Sequence, residues 1–437
     1  FVPDMDIEKI YSLWNECGRK HSTYTRKIAE GGFFFALKGA NFNGNEFAAE
    51  ALNKGAAYAV ADEEKYAKHE NIILVNDVLA TLQQLATFHR LKLKNTKFIA
   101  LTGSNGKTTT KELIRSILSQ QFRVLATQGN LNNHIGVPLT LLEVNEQHEF
   151  AIIEMGANHQ KEIAQLCEIA LPDYGLVTNV GKAHLEGFGG FEGVIKGKGE
   201  MYDFLKKHQR SIFLNSGNVH LIKRCGAYDK LITYGISEND FCCGSYELKG
   251  DKVRVKWKSD KNSGQAQSNL AGAYNFENLL SAVCIGCYFG VNAEKIRIGI
   301  ESYFPENKRS QTVVKNNTTF ILDYYNANPT SMEAAIKNLN ENFTGKKMAV
   351  LGEMLELGAD AEKEHSFIAE LLKSSGTEAI LVGENFKGFE KKLNGYHFQT
   401  SAEAAAFLKT VDLAGYTLLI KGSRGSKMET VAEALLT

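Results

Sequence analysis

The sequence predicts an α/β protein of three domains, at residues 1–93, 94–305 and 306–437, and three observations carry that reading. A chain of 437 residues exceeds what one ordinary core holds. Apolar strand-like runs alternate with helix-period stretches along its length, the pattern of sheets covered by helices. At 98–118 a β-favouring run, Phe98 to Leu101, ends in Gly103 and Gly106, and Lys107, Thr108, Thr109 and Thr110 open an amphipathic segment. That is the strand, loop and helix start of a phosphate-binding loop.

The N-terminal stretch reads as a small α/β unit. Ile7, Ile10, Tyr11 and Trp14 recur at helical spacing, and Lys27 to Gly39, with Gly31-Gly32 before three phenylalanines, reads as a turn followed by a buried strand. A helix at 45–54, strands at 57–60 and 72–75 and a helix at 78–91 follow. Two loops, Thr25-Arg26 before the first strand and Lys38 to Gly44 after it, lie where α/β sheets bind ligands, although such residues also serve simply as turns and surface. The polar run 91–97 reads as a linker.

In the phosphate-binding loop, glycines let backbone N–H groups curl around phosphate oxygens, and the helix N-terminus adds its positive dipole end. Lys107 would reach the outer phosphates and the Thr108 hydroxyl would ligate Mg²⁺. The spacing is shortened to G-x-x-G-K-T, since Leu101 stands where the usual first glycine falls. An ordinary strand-to-helix turn also uses glycine, but seldom with lysine and three threonines at the same junction. A nucleoside triphosphate is the expected ligand.

Next come Gly129, Asn130, Asn132, Asn133, Gly136 and Pro138, a structured loop whose asparagines are either turn-formers or hydrogen-bonding groups for a polar substrate. The strand 150–153 delivers Glu154 at its end, where a Mg²⁺ ligand belongs beside a phosphate loop. His184 follows another strand, 176–180. Lys196 and Lys198 are phosphate contacts or plain surface charge; composition does not choose. Strands at 212–214 and 231–234, a hairpin turning at 249–251 and a helix at 275–289 complete the domain.

A Pro305-containing segment, 303–309, marks the second boundary. Paired strands near 313–314 and 320–322, strand cores at 348–351, 379–382 and 418–420, and helices at 361–373, 402–409 and 428–435 suggest a doubly wound, dinucleotide-fold sheet. No G-x-G-x-x-G follows these strands, so no nicotinamide cofactor is expected.

Composition narrows the class. Lysine plus arginine equals aspartate plus glutamate at 50 each, so no global field favours nucleic acid or a membrane surface. No apolar run approaches a membrane span and no charged-then-apolar signal peptide opens the chain, which starts at Phe1 with room for residues before it. Seven cysteines without a regular framework fit free thiols in a reducing, cytoplasmic setting. Cys284 and Cys287 lie in an apolar helical run and read as buried small side chains.

Taken together the motifs resemble the Mur ligases, the ATP-dependent amino-acid-adding enzymes of peptidoglycan synthesis, over nearly the whole chain. Thr102 to Thr109 is similar to the family loop, whose short glycine spacing it shares. Gly129-Asn130-Leu131-Asn132-Asn133, Asp323 to Pro329 and Leu351 to Gly358 are similar to the branch that adds D-alanyl-D-alanine to UDP-N-acetylmuramoyl-tripeptide. Gly352-Glu353-Met354 replaces the commoner Gly-Asp-Met, and Asn43-Gly44-Asn45 departs from the usual Asp-Gly-His.

The resemblance implies an N-terminal UDP-substrate domain, a central P-loop ATPase-like domain with a parallel sheet and a C-terminal Rossmann-like domain. It implies ATP contacts from Gly103, Ser104, Asn105, Gly106, Lys107, Thr108, Thr109, Asn275, Arg309, Asn326, Lys421 and Ser423. Substrate contacts would come from Thr25, Arg26, Lys38, Gly39, Asn41, Asn130, Asn132 and Asn133. Thr108, Glu154, His184 and a carbamylated Lys198 would hold two Mg²⁺ ions, with Lys107, Lys198, His184 and Glu154 the catalytic set. The implied reaction runs through an acyl phosphate in a monomer. Its rivals are another amino-acid or folate ligase of the superfamily and a nucleotide-driven switch without ligase chemistry. The developed N-terminal unit argues against folate.

Overall fold

The computed structural model describes residues 6–305, 309 and 311–437. They form two compact units. The first takes the described residues up to Phe98 with Leu125–Met155 and Gln165–Pro172; the second takes Ile99–Val124, Gly156–Ala164 and the described residues of 173–437.

In the first unit, strands His21–Ser22, Phe33–Phe35, Tyr58–Ala61 and Ile72–Leu74 lie side by side in that order, all parallel. Phe33, Phe34 and Phe35 are all buried, which is why this central strand is continuously apolar instead of alternating. Alanines at 36, 48, 51, 56, 59 and 61 let the covering helix Ala48–Asn53 pack close. Asp77 caps the long helix Val78–Lys92 by accepting from the Ala80 N–H at 2.7 Å.

The expected linker 91–97 is shorter than its polarity suggested. The helix runs through Lys92 and the next strand starts at Lys97. Between them Leu93 is buried and the Thr96 hydroxyl donates to the His148 carbonyl at 2.7 Å.

The second unit holds two sheets. One runs in the order Ser263–Ala271, Lys252–Ser259, Cys242–Lys249, Leu231–Gly235, Ser211–Asn215, Tyr174–Val177, Lys97–Thr102, the last strand entering this unit at Ile99. The expected parallel sheet is present in the last five strands, and the expected hairpin at 249–251 extends it: Cys242–Lys249, Lys252–Ser259 and Ser263–Ala271 form an antiparallel meander. The third meander strand escaped the sequence reading because it is small and polar. Its Gly264 is needed, since a Cβ there would press into the Trp257 ring.

The other sheet has the order Gln311–Lys315, Thr318–Asp323, Tyr416–Lys421, Lys346–Gly352, Glu378–Val382, Gly395–Phe398, parallel except for the antiparallel edge hairpin. The loops that follow Asp323, Gly352 and Lys421 therefore emerge at one end. The boundary expected in 303–309 falls partly on residues 306–308, outside the described residues. Cys242, Cys284 and Cys287 are buried; hydrogen bonding with Cys284 pushes the Cys242 thiol up and hydrogen bonding with Cys242 pushes the Cys287 thiol up, burial adding to both, as inert core groups require.

Candidate functional site

The strand Lys97–Thr102 and its parallel neighbour Tyr174–Val177 end side by side, Thr102 opposite Val177. Their two following loops are bonded into one. Ser104 N–H donates to the Asn179 carbonyl at 3.1 Å, and the Ser104 hydroxyl exchanges bonds with the Gly181 carbonyl and N–H at 3.0 and 2.9 Å. The Asn105 carbonyl accepts from the Thr178 hydroxyl at 2.6 Å and the Asn179 amide at 3.1 Å. Gly103 and Gly106 have positive φ, 147° and 78°, and a Cβ on either would overlap Thr178 or Asn278. Lys107 curls back over the turn, its Nζ donating to the Gly103 carbonyl at 2.6 Å.

The helix Lys107–Leu118 starts at Gly106 with no side-chain cap on its first N–H groups, and Thr108 and Thr109 occupy its first turn. Asn275 is buried in an amide chain. It donates to the Ala271 carbonyl at 2.7 Å and accepts from Asn278 at 2.9 Å, and Asn278 accepts from the Thr110 hydroxyl at 3.1 Å. Asn278 thus braces the loop helix, a role visible in the sequence only as a second asparagine one helical turn after Asn275.

Lys198 lies on the helix Phe191–Lys207, 1% exposed, its Nζ donating to the Ala157 carbonyl at 3.0 Å and 4.9 Å from the centre of the Phe188 ring. Burial, with repulsion from Lys107 second, pushes this ammonium well below the usual lysine range. The surface-charge reading of Lys198 is excluded. His184 is left-handed at φ 52°, and its Nδ1 pairs with the Glu356 carboxylate, which that contact holds below the ordinary carboxylate range.

In the first unit Glu154 is buried at its strand end, accepting from the Asn132 amide at 2.8 Å while its N–H donates to the Thr127 hydroxyl at 3.0 Å. Asn133 forms a turn: its side chain accepts from the Gly136 and Ile135 N–H groups at 2.9 and 3.1 Å. Asn130 is exposed.

Hydroxyl and carboxylate oxygens at Thr108 and Glu154 are donors that suit Mg²⁺. An ammonium is not a ligand, so Lys198 fits only as a carbamate. Among the described residues no three His, Cys, Asp or Glu side chains gather as a metal cage. Magnesium sites that rely on substrate phosphates and water need none.

The C-terminal loops bond two more of these residues among themselves. Lys421 is buried with its Nζ donating to Asp323 Oδ2 at 2.6 Å and to the Asn326 carbonyl at 3.2 Å, so its charge is neutralised within the loop end. The Ser423 hydroxyl donates to the Ala327 carbonyl at 3.2 Å and accepts from the Leu355 N–H at 2.9 Å, tying three loops together. Both residues hold the loops together. The Asn326 side chain accepts from the Ala327 N–H at 2.9 Å. Arg309 stacks on Tyr325 at 3.9 Å, with Arg424 5.9 Å from the same ring. Asn328 donates to Asn105 Oδ1 at 2.7 Å, bringing this end onto the phosphate loop.

In the N-terminal loops, Lys38 is committed elsewhere too: it pairs with Asp62 at 2.8 Å and Glu63 at 3.1 Å, bonds that hold its ammonium above the usual lysine value. Asn45 bonds the same Asp62 at 2.8 Å. Arg26 is exposed in the short helix Thr25–Lys27 with no ion pair among the described residues, and Gly39 and Asn41 are exposed.

Three family models match in sequence order. One described as Mur ligase family, catalytic domain, matches residues 22–90; Mur ligase middle domain matches 101–286; Mur ligase, glutamate ligase domain, matches 308–424. The UDP-N-acetylmuramoyl-tripeptide--D-alanyl-D-alanine ligase of Bacillus subtilis is 34% identical, aligned over 95% of this chain and 92% of its own length. The Escherichia coli ligase of the same name is 33% identical over 95% and 93%. Among solved structures, MurF from Acinetobacter baumannii superposes with a TM-score of 0.87 at 32% identity, covering 95% of this chain and 93% of that one. MurF ligase from Thermotoga maritima in complex with ADP gives 0.85 at 27% identity, covering 96% and 97%.

Proposed function

This chain belongs to the Mur ligase family, and from that premise we propose that it joins D-alanyl-D-alanine to UDP-N-acetylmuramoyl-tripeptide at the expense of ATP, in peptidoglycan precursor synthesis. The observation that carries this is the pairing of whole-length identity to ligases of that name with a phosphate loop whose Lys107 lies over the turn. The family fold has N-terminal, central and C-terminal domains; we place their boundaries at 93/94 and 305/306.

In the reaction we infer, the tripeptide's terminal carboxylate attacks the γ-phosphorus of ATP, giving an acyl phosphate and ADP. The amine of D-alanyl-D-alanine then attacks the acyl carbon and inorganic phosphate leaves. Lys107 follows the β- and γ-phosphates, and the uncapped helix start offers N–H donors to their oxygens. Thr108, Glu154, His184 and a carbamylated Lys198 would hold Mg²⁺, which would neutralise charge between the two mutually repelling anions. The depressed Lys198 supports carbamylation, because the neutral amine is the form that adds CO₂. Holding the reactants in line contributes about 7–11 kcal/mol in favourable cases. Arg26, exposed and without an ion pair among the described residues, meets the UDP diphosphate.

No helix among the described residues is long and apolar enough to cross a membrane. We read the enzyme as a cytoplasmic monomer.

The test is phosphate release with each substrate omitted in turn. Release that needs both UDP-tripeptide and D-alanyl-D-alanine, and that Lys107→Ala abolishes, is the expected result. Activity with another amino acid in place of D-alanyl-D-alanine would move the chain to a different branch, and nucleotide binding without peptide-dependent release would leave a switch.

A further inference from the structure

Glu356 has no part in the reaction as described so far. It sits in the loop after the strand Lys346–Gly352, left-handed at φ 62°, with its carboxylate on Nδ1 of His184, itself left-handed. A left-handed non-glycine residue costs about 1 kcal/mol, and such conformations persist only where the surroundings hold them. Here the surroundings do. The Glu356 carbonyl accepts the Glu186 N–H at 3.2 Å, and a Cβ on Gly358 would meet the Glu186 side chain at 3.2 Å. Nearby, Lys182 donates its N–H to the Thr330 hydroxyl at 3.0 Å and its Nζ to buried Glu364 at 2.6 Å.

The chemistry of that contact is specific. The Glu356 carboxylate lies against Nδ1 as an ion-pair contact that does not meet hydrogen-bond geometry; an acidic oxygen there favours the proton on Nδ1 and leaves the lone pair on Nε2. Metal-binding histidines are oriented in this way, by an acceptor on the nitrogen that does not bind the metal.

We propose that Glu356 is a positioning residue for the cation site: it fixes the tautomer and direction of His184 so that Nε2 is the ligating atom. The carboxylate belongs to a loop of the C-terminal sheet and the imidazole to a loop of the nucleotide-binding sheet. Metal affinity therefore depends on the two loops being docked. The proposal rests on the reading of His184 as a Mg²⁺ ligand.

The experiment titrates Mn²⁺ into the full chain with a non-hydrolysable ATP analogue, reading free Mn²⁺ by electron paramagnetic resonance. His184→Ala should lose one of two sites. Glu356→Ala should keep the first site and weaken the second about 10–100-fold. Glu356→Gln, whose amide oxygen still accepts from Nδ1–H, should lose less. Imidazole ¹⁵N shifts of the unsubstituted chain should report the Nδ1–H tautomer, giving a readout that does not depend on how well a variant folds. Unchanged Mn²⁺ binding in Glu356→Ala alongside a lost site in His184→Ala overturns the positioning role alone. Two intact sites in His184→Ala overturn the ligand reading and the proposal with it, as does an Nε2–H tautomer.

Discussion

Replacing Lys421 with alanine separates two accounts of a buried cation. The family resemblance implied a place at the phosphates; the structure bonds it to Asp323 Oδ2 at 2.6 Å and to the Asn326 carbonyl at 3.2 Å, with 2% of its side chain exposed and 18% of its partner's. Removing one member of a buried pair leaves the other charge uncompensated, at about 3–5 kcal/mol. Asp323 keeps an edge in solvent, so the lower end, about 3 kcal/mol, is expected. That is roughly a 150-fold shift in the folding equilibrium of the sheet, from the relation of about 1.4 kcal/mol per tenfold. Tryptophan fluorescence would not report it, because the two tryptophans are Trp14 and Trp257, neither in this sheet. Amide exchange of Tyr416–Lys421 reads it directly. Lys421→Met combined with Asp323→Asn removes both charges and should restore most of the protection. ADP affinity of the folded single variant should stay within about twofold. Unchanged protection together with a large loss of ADP affinity would refute the structural role and return Lys421 to the phosphates.

Three further outcomes are expected. Lys198→Ala should lose turnover that short carboxylic acids partly restore, since they replace the carbamate oxygens; full activity without rescue would end the carbamate reading. His365 is buried, donates from Nδ1 to the Ala361 carbonyl at 2.7 Å and accepts the Met354 N–H on Nε2 at 3.0 Å, and burial lowers its pKa. Its contribution is therefore complete above the unfolded value of about 6.5 and is lost as pH falls through the lowered folded value. Denaturation midpoints of the wild type should drop below that pH more steeply than those of His365→Gln; parallel curves would exclude the assignment. Arg26→Ala should raise KM for the UDP-substrate with kcat nearly unchanged, as loss of uniform binding does, and calorimetry showing unaltered affinity would make Arg26 a plain surface residue.

The phosphate loop was legible because its parts are contiguous: glycines, lysine and threonines within one turn. The sheets' strand cores were legible for the same reason, each being a local apolar run. What could not be read were partnerships across long separations. Lys38 and Lys421 look alike in sequence, as lysines beside a glycine after a strand. What decides their roles is Asp62 and Asp323, the second nearly a hundred residues from its lysine. Asn133 and Asn132 are neighbours, yet one forms a turn with its own backbone and the other bonds Glu154. The strand Ser263–Ala271 carries too few apolar side chains to announce itself, and only its place beside Lys252–Ser259 makes it a strand.

Asn328 serves two elements at once. Its Oδ1 caps the helix Pro329–Asn342 through the Ser331 N–H at 2.9 Å, while its amide donates to Asn105 in the phosphate loop at 2.7 Å. The side chain that starts a helix of one sheet is thus a sensor of the nucleotide loop of the other. Thermodynamic linkage makes such a contact reciprocal. Whatever factor nucleotide binding applies to seating this helix, seating the helix must apply to nucleotide binding. If Asn105 meets the nucleotide, a residue of the other sheet then takes part in holding it, and release of product and loosening of this helix start share one equilibrium.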